Sequence, residues 1–366
     1  MAEVAEKTNL LGMSRADMER YFSSLGEKPF RARQLLQWIY QRGVTDFAQM
    51  TDLSRALRER LSAAAEIRPP EILSEQKSTD GTIKWLLSLP GGSAVETVFI
   101  PEPGRGTLCI SSQVGCMLNC TFCSTAMQGF SRNLSAAEIV GQVWLADRRT
   151  GDKRISNVVF MGMGEPLLNL PEVGPVLDLL RDDLAYGLAA RRVTVSTAGV
   201  IPGIDKLHDY PPIALAVSLH APTDEIRGRL VPLNRKYPIV ELLAACKRYL
   251  AQCNTKQSIT FEYTMIEGVN DAPELARQLR RLLADIPCKI NLIPFNPFPG
   301  TPFRCSSGES MLQFQEILRA GGLIATVRRT RGDDIDAACG QLVGKVLSGS
   351  QRRILVQQQL ARQALA

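Results

Sequence analysis

Beyond Thr107, short runs of unbroken apolar residues alternate with stretches of helical periodicity, and no other feature constrains the fold as strongly. The runs fall at 108–111, 158–161, 193–196, 214–219, 259–264 and 290–293. Strands apolar on both faces suit a parallel sheet covered by helices, and the intervening lengths accommodate crossover helices. Six such βα units predict an α/β fold, a partial (β/α)6 TIM-like barrel. Ser135 and Glu138 form a capping-box pattern ahead of Ile139, Val140, Val143 and Trp144, so a helix is expected there.

The part before the barrel reads differently. Within 14–65, Met18, Tyr21, Phe22 and Leu25 share one helical face, the stretch 26–29 interrupts, and Leu35, Leu36, Trp38 and Ile39 resume. After Pro69 and Pro70 the pattern becomes extended around Ile72, 83–89 and 95–100, with turns at Asp80-Gly81 and Gly91-Gly92. The expected organisation is a helical domain at 1–68, a β-rich connector at 69–101, the main α/β domain at 102–346 and a Gln- and Arg-rich helical tail at 347–366.

A chain of 366 residues with 45% hydrophobic and 22% charged residues can bury a large core. Residues 1–11 lack the apolar centre of a signal peptide, and no later run is long enough to cross a bilayer, so a cytoplasmic protein with no membrane contact is expected. In a reducing compartment the nine cysteines point to metal binding or catalysis rather than to disulfide scaffolding. The net charge of +6 is modest, but basic pairs recur at Arg148/Arg149, Lys153/Arg154, Arg191/Arg192, Arg235/Lys236 and Arg328/Arg329, a pattern compatible with phosphate binding or with solvated loops.

Three cysteines, Cys116, Cys120 and Cys123, occupy eight residues directly after the first strand-like run. Three thiolates suit three irons of a cubane cluster and leave the fourth iron open. Structural zinc takes four ligands, and the two histidines, His208 and His220, are remote in sequence. Gly162-Met163-Gly164-Glu165-Pro166 follows the second run, where glycines permit close backbone approach and a carboxylate can accept from an ammonium group. Glu165, Ser196, His220 and Asn296 all fall at strand C-terminal ends, where barrel enzymes place their chemistry.

The CxxxCxxC loop, with an aromatic before its last cysteine, resembles the radical S-adenosylmethionine (SAM) superfamily. Longer stretches narrow this: 111–116, 123–134, 162–169 and 331–339, with 26–31 and 37–40 nearer the start, are similar to the RlmN/Cfr family of RNA methyltransferases, over about residues 10 to 346. The resemblance implies a [4Fe-4S] cluster on Cys116, Cys120 and Cys123. It implies SAM held by Gly164, Glu165, Ser196, Ser218, Leu219, His220 and Asn296, with the helical domain as an RNA-binding accessory.

It further implies that Cys339 carries a methyl group, that Cys109 resolves a covalent RNA adduct by disulfide formation, and that Glu96 accepts a proton. The implied substrates are adenines of 23S rRNA in the peptidyl transferase centre and of tRNA beside the anticodon, methylated at C2. The implied electron donor is of flavodoxin type, and a monomer is the default expectation. Adenine C2 lies between two ring nitrogens and is too electron-poor to attack the SAM methyl as a nucleophile, which is why a radical route is needed. Two alternatives stay open: methylation at C8, as in the Cfr branch, although Gln128-Gly129-Phe130 looks more like the C2 branch, and a non-catalytic iron-sulfur RNA-binding protein.

Overall fold

The computed structural model describes residues 7–151, 154–253 and 257–344; the expected tail at 347–366 and Lys153 of the basic pairs lie outside them. Strands β1 (Thr8–Asn9) and β2 (Ala65–Glu66) pair in parallel and bracket the helical module. Within it lie α1 (Arg15–Ser24), α2 (Phe30–Leu36), continued by a π-helical turn at Gln37–Gln41, and α3 (Arg55–Ala64). Ser14 caps α1 through a reciprocal bond with Asp17, and Met18, Phe22, Leu35 and Leu36 face inward as their spacing predicts.

The catalytic half is one open sheet of ten strands. Its antiparallel edge comprises β3 (Glu71–Lys77), β4 (Ile83–Ser88), β5 (Ala94–Glu102) and β6 (Arg105–Cys109). A short ribbon, β7 (Gln113–Gly115) with β8 (Phe130–Asn133), leaves the sheet and brackets the cysteine loop and the short α4 (Ser124–Met127). The parallel part continues from β6 through β9 (Asn157–Phe160), β10 (Val193–Thr197), β11 (Ala214–Ser218), β12 (Ile259–Met265), β13 (Cys288–Pro294) and β14 (Ile324–Val327). Longer helices cross between these strands: α5 (Ala136–Arg149), α6 (Leu170–Arg181), α9 (Ile239–Gln252), α10 (Pro273–Leu282) and α11 (Gly308–Ala320), with the shorter α7 (Ile201–Lys206) and α8 (Asp224–Leu230).

All six predicted runs fall on strands of the parallel part of the sheet, and their largely buried side chains explain their mostly apolar character. Two features differ from expectation. The β-rich stretch at 69–101 is hydrogen-bonded into the same sheet, so it extends the barrel wall rather than spacing two bodies apart. β14 was not anticipated, although residues 323–327 carry a short apolar run; it lies at the sheet edge and its Ile324 is 58% exposed. Among the described residues no helix is long and apolar enough to cross a membrane.

The helical module docks on α5 and on the turn after α6. Trp144 Nε1 donates to the Ile39 carbonyl at 2.9 Å, and the Arg15 Nε donates to Asp182 at 2.7 Å. Gly12 makes the closest approach. Its φ is +95°, its N–H donates to the Tyr40 hydroxyl at 3.1 Å, and a Cβ there would meet the Ala137 backbone nitrogen at 2.3 Å. We therefore expect Gly12→Ala to destabilise the protein by about 2 kcal/mol, combining backbone strain with overpacking, read as a lowered midpoint in urea at unchanged m-value.

Candidate active site

The cysteine loop is held open by its own backbone. Gly115 has φ +74° and lies so near Gly129 that a Cβ would come within 1.9 Å of that residue's carbonyl oxygen. Cys116 N–H then donates to the same oxygen at 3.0 Å, Asn119 adopts a left-handed φ of 53°, and Thr121 N–H donates to Leu230 at 3.0 Å. Cys116, Cys120 and Cys123 all line one cavity at the C-terminal end of the parallel strands.

Burial pushes the Cys116 thiol up to about 12 and raises Cys120 and Cys123 as well, and Cys120 is raised further by the charges of Cys123 and Cys116. Three desolvated, mutually repelling thiols ionise together only around a strongly positive centre, which is the donor chemistry of an iron-sulfur cluster. Among the described residues, no three His, Cys, Asp or Glu side chains converge as ligands of a single ion. The three cysteines fit separate irons of a cubane better than they fit zinc.

Opposite the loop, Gly164 has φ +94°, and a Cβ would meet Gln113 Cβ at 2.4 Å; no other residue type fits there. Glu165 is buried, its Oε1 accepting from Leu167 N–H at 3.1 Å and its Oε2 from Ala198 N–H at 2.8 Å. Burial raises its carboxyl to about 7 against those hydrogen bonds. Ser196, Ser218 and Asn296 line the cavity with it. His220 does too, at φ 57°, with its Nδ1 accepting from Thr264 N–H at 3.0 Å. Burial and the neighbouring Arg227 lower that imidazole to about 3, so it is neutral and carries its proton on Nε2. Leu219 does not line the cavity: its side chain is fully buried in the core, and its N–H donates to the Glu262 carbonyl at 3.0 Å.

Cys339, in a stretch of small and polar residues, is half-buried and lines the same cavity. It also lines a small adjoining recess with Cys109, Met161 and Arg328. Burial pushes the Cys109 thiol up to about 12, with Cys339 adding to the shift and Arg328 opposing it. Asn296 reaches Cys339 through the backbone, its Nδ2 donating to the Cys339 carbonyl at 3.1 Å. Glu96 lines neither space. Its carboxylate sits behind the Cys339 segment, with Oε2 accepting from Val343 N–H at 2.8 Å and Oε1 3.2 Å from Lys84 Nζ. Of the other cysteines, Cys246 is fully buried, whereas Cys253, Cys288 and Cys305 are half-buried.

Two contributors were missed from the sequence, and a third, Phe122, was noted there only as the aromatic of the cysteine motif. Lys84 pairs with Glu96 and also donates to the Asp336 carbonyl at 3.2 Å. Arg227 is fully buried and joins two strand ends by donating to the carbonyls of Ala198 and Ser218, at 2.6 and 3.0 Å. Phe122, inside the cysteine loop, meets the His220 ring edge-on at 4.5 Å between centroids. No local pattern marks the first two, because each acts across strands distant in sequence.

Comparison with known proteins now decides the family. Residues 8–67 match the ribosomal RNA large subunit methyltransferase N-terminal domain, and residues 110–279 match the radical SAM superfamily. A dual-specificity RNA methyltransferase RlmN from Marinobacter nauticus is 57% identical over 98% of this chain and 99% of its own length. The chain belongs to the RlmN family. The crystal structure of a radical SAM methyltransferase from Sphaerobacter thermophilus is similar in fold, with a TM-score of 0.85 and 44% identity over 92% of this chain and 99% of that one. As a radical SAM methyltransferase of the RlmN family, the chain uses a [4Fe-4S] cluster and SAM. The Lys84–Glu96 pair is 6% and 7% exposed, and removing one member leaves a buried charge. Lys84→Met is expected to cost about 3–5 kcal/mol in denaturant unfolding, more than Lys84→Met combined with Glu96→Leu.

Proposed function

We propose that this site methylates C2 of an adenine in RNA, in 23S rRNA and in tRNA beside the anticodon, through a methyl carried on Cys339. The observation that carries the reading is that Cys339 lines both the cavity of the three cluster thiols and the recess that holds Cys109. When bound, the cluster and SAM supply the methyl group and the means of removing one hydrogen atom from it. Gly164 admits SAM by close backbone approach, Glu165, Ser196 and Ser218 orient it, and the neutral His220 places an Nε2 donor in the cavity wall.

Cys339 then bonds through its methyl carbon to adenine C2. Glu96 is the proton acceptor in this proposal. Both of its oxygens are engaged by Lys84 and Val343, so taking up the C2 proton requires one of them to let go. Loss of the C2 proton to Glu96 and of one electron, returned to the reducing system that supplied it, restores the ring; the Cys109 thiolate then attacks the Cys339 sulfur, a disulfide forms, and the carbon-sulfur bond breaks with its electron pair on the methylene carbon, which takes up a proton to become the methyl on the base. Arg328 in the same recess favours that thiolate.

Of the basic pairs, Arg191 and Arg329 line an open cavity inside the barrel with Arg105 and Lys289, where RNA phosphates are attracted. Arg148 is differently employed, stacked 3.7 Å from the Trp144 ring and bonded to the Ile39 carbonyl within the docked module. The division of labour we propose is RNA contact by the helical domain at 1–68 and chemistry by 102–346 with the strands of 69–101. A monomer in the cytoplasm served by a flavodoxin-type electron donor completes the reading. No feature of the site favours the C8 alternative.

In an anaerobic assay with SAM, reductant and a transcribed stem-loop, Cys339→Ala should form no 2-methyladenine while keeping its iron. Cys109→Ala should accumulate a covalent protein-RNA adduct visible as a shifted band. Methylated adenine from Cys339→Ala would refute the carrier role.

A further inference from the structure

Of two charged side chains on the cavity floor, Glu262 takes no part in the steps above, and Arg328 enters them only through its charge near Cys109. Glu262 lies on β12 between Ser218 of β11 and Asn291 of β13 and is only 3% exposed. Its Oε1 accepts from Asn291 Nδ2 at 3.1 Å, while its Oε2 is buried without any hydrogen-bond partner. A buried carboxylate oxygen left unpaired is costly, and that cost persists in a fold when a ligand is the missing partner.

Arg328 follows β14, its N–H donating to the Leu292 carbonyl at 2.8 Å. A guanidinium carries five donors, but among the described residues this one meets only the Met161 thioether, at 4.0 Å. Glu262 and Arg328 both line the main cavity and the opening inside the barrel below it, and the two charges act on one another without forming a direct ion pair. The floor therefore presents an unused acceptor beside unused donors. Adenine shows the complementary edge, an exocyclic amino donor flanked by an acceptor ring nitrogen.

We propose that Glu262 and Arg328 recognise the target adenine, whose amino group donates to Glu262 Oε2 while a ring nitrogen accepts from the Arg328 guanidinium. The inference rests on the proposed RNA methylation for the identity of the base. SAM also contains adenine, but Arg328 lines the recess of Cys109 and Cys339 as well, so a base bound to it lies beside the thiol that must reach C2. Glu262 and Arg328 thus act by binding and orienting the base, and exchange no proton with it.

The test uses two stem-loops, one with adenosine at the target position and one with purine riboside, which lacks only the amino group and keeps C2–H. For each, kcat/KM for C2 methylation and the Kd of the cluster-loaded protein without SAM are measured. The unsubstituted protein should prefer adenosine by about 10- to 100-fold. Glu262→Met should reduce that preference to near unity, and Glu262→Gln, which keeps an acceptor oxygen, should retain most of it. A preference that survives in Glu262→Met overturns the proposal. So does a Glu262→Met defect confined to RNA-independent SAM cleavage, which would assign the pair to the adenine of SAM. If the unsubstituted protein methylates neither RNA, the functional reading fails, and the Kd values alone still decide whether Glu262 senses the amino group.

Discussion

The segment around Cys339 is irregular backbone packed into the mouth of a barrel, and the site exists only because that backbone is satisfied from every side. Buried peptide groups without partners are rarely tolerated. Here the Asp336 carbonyl accepts from Lys84, the Cys339 carbonyl from Asn296, the Gly340 carbonyl from Ser124 N–H and the Leu342 carbonyl from the Thr125 hydroxyl. Val343 N–H donates to Glu96, and Gln341 spans from Ala338 N–H to the Pro297 carbonyl. The donors and acceptors come from the antiparallel edge, the short helix after the cysteine loop, and the end of β13. A thiol on an ordinary surface loop would sample many positions; this one is fixed against the recess that holds Cys109.

That arrangement explains why the antiparallel strands belong to the catalytic sheet. Lys84 on β4 and Glu96 on β5 reach the Cys339 segment only because β5 pairs with β6, the strand that ends in Cys109. Gln142 of α5 ties the same region together, accepting from the Thr97 hydroxyl at 2.7 Å and from Ser111 N–H at 2.8 Å. Cys109, the Cys339 segment and Glu96, the groups to which we assign the chemistry, thus share one rigid wall. Proximity fixed by folding lowers the entropic cost of bringing them together for each reaction.

Much of this was legible in the sequence, and the boundary is physical. Local signals survived: apolar runs for doubly covered strands, the Ser135–Glu138 capping box, and the glycines at 162 and 164 where a Cβ does not fit. Signals that depend on pairing between distant strands did not. That β14 completes the sheet is fixed by its pairing with β13, and Leu219 sits in a motif whose flanking residues face the cavity while its own side chain points into the core. Strand alternation places successive side chains on opposite faces, so adjacency in a motif does not carry adjacency at a site. The polar and small neighbours of Cys339 would suit an exposed loop equally well, but in the fold that segment's backbone is bonded inside.

Buried charge follows the same logic across the molecule. Arg227, with no exposed surface, bonds to Asn234 and to two strand-end carbonyls, and its charge has a structural outlet in each. Lys84 and Glu96 neutralise one another while each holds a backbone group. Glu262 and Arg328 break the pattern: Glu262 is buried on the cavity floor with one oxygen unpartnered, and the half-buried Arg328 beside it has only the Met161 thioether against its guanidinium among the described residues. The unpartnered Glu262 oxygen and the Arg328 donors face the space where we propose that the base sits, so a group that arrives with the substrate can meet both.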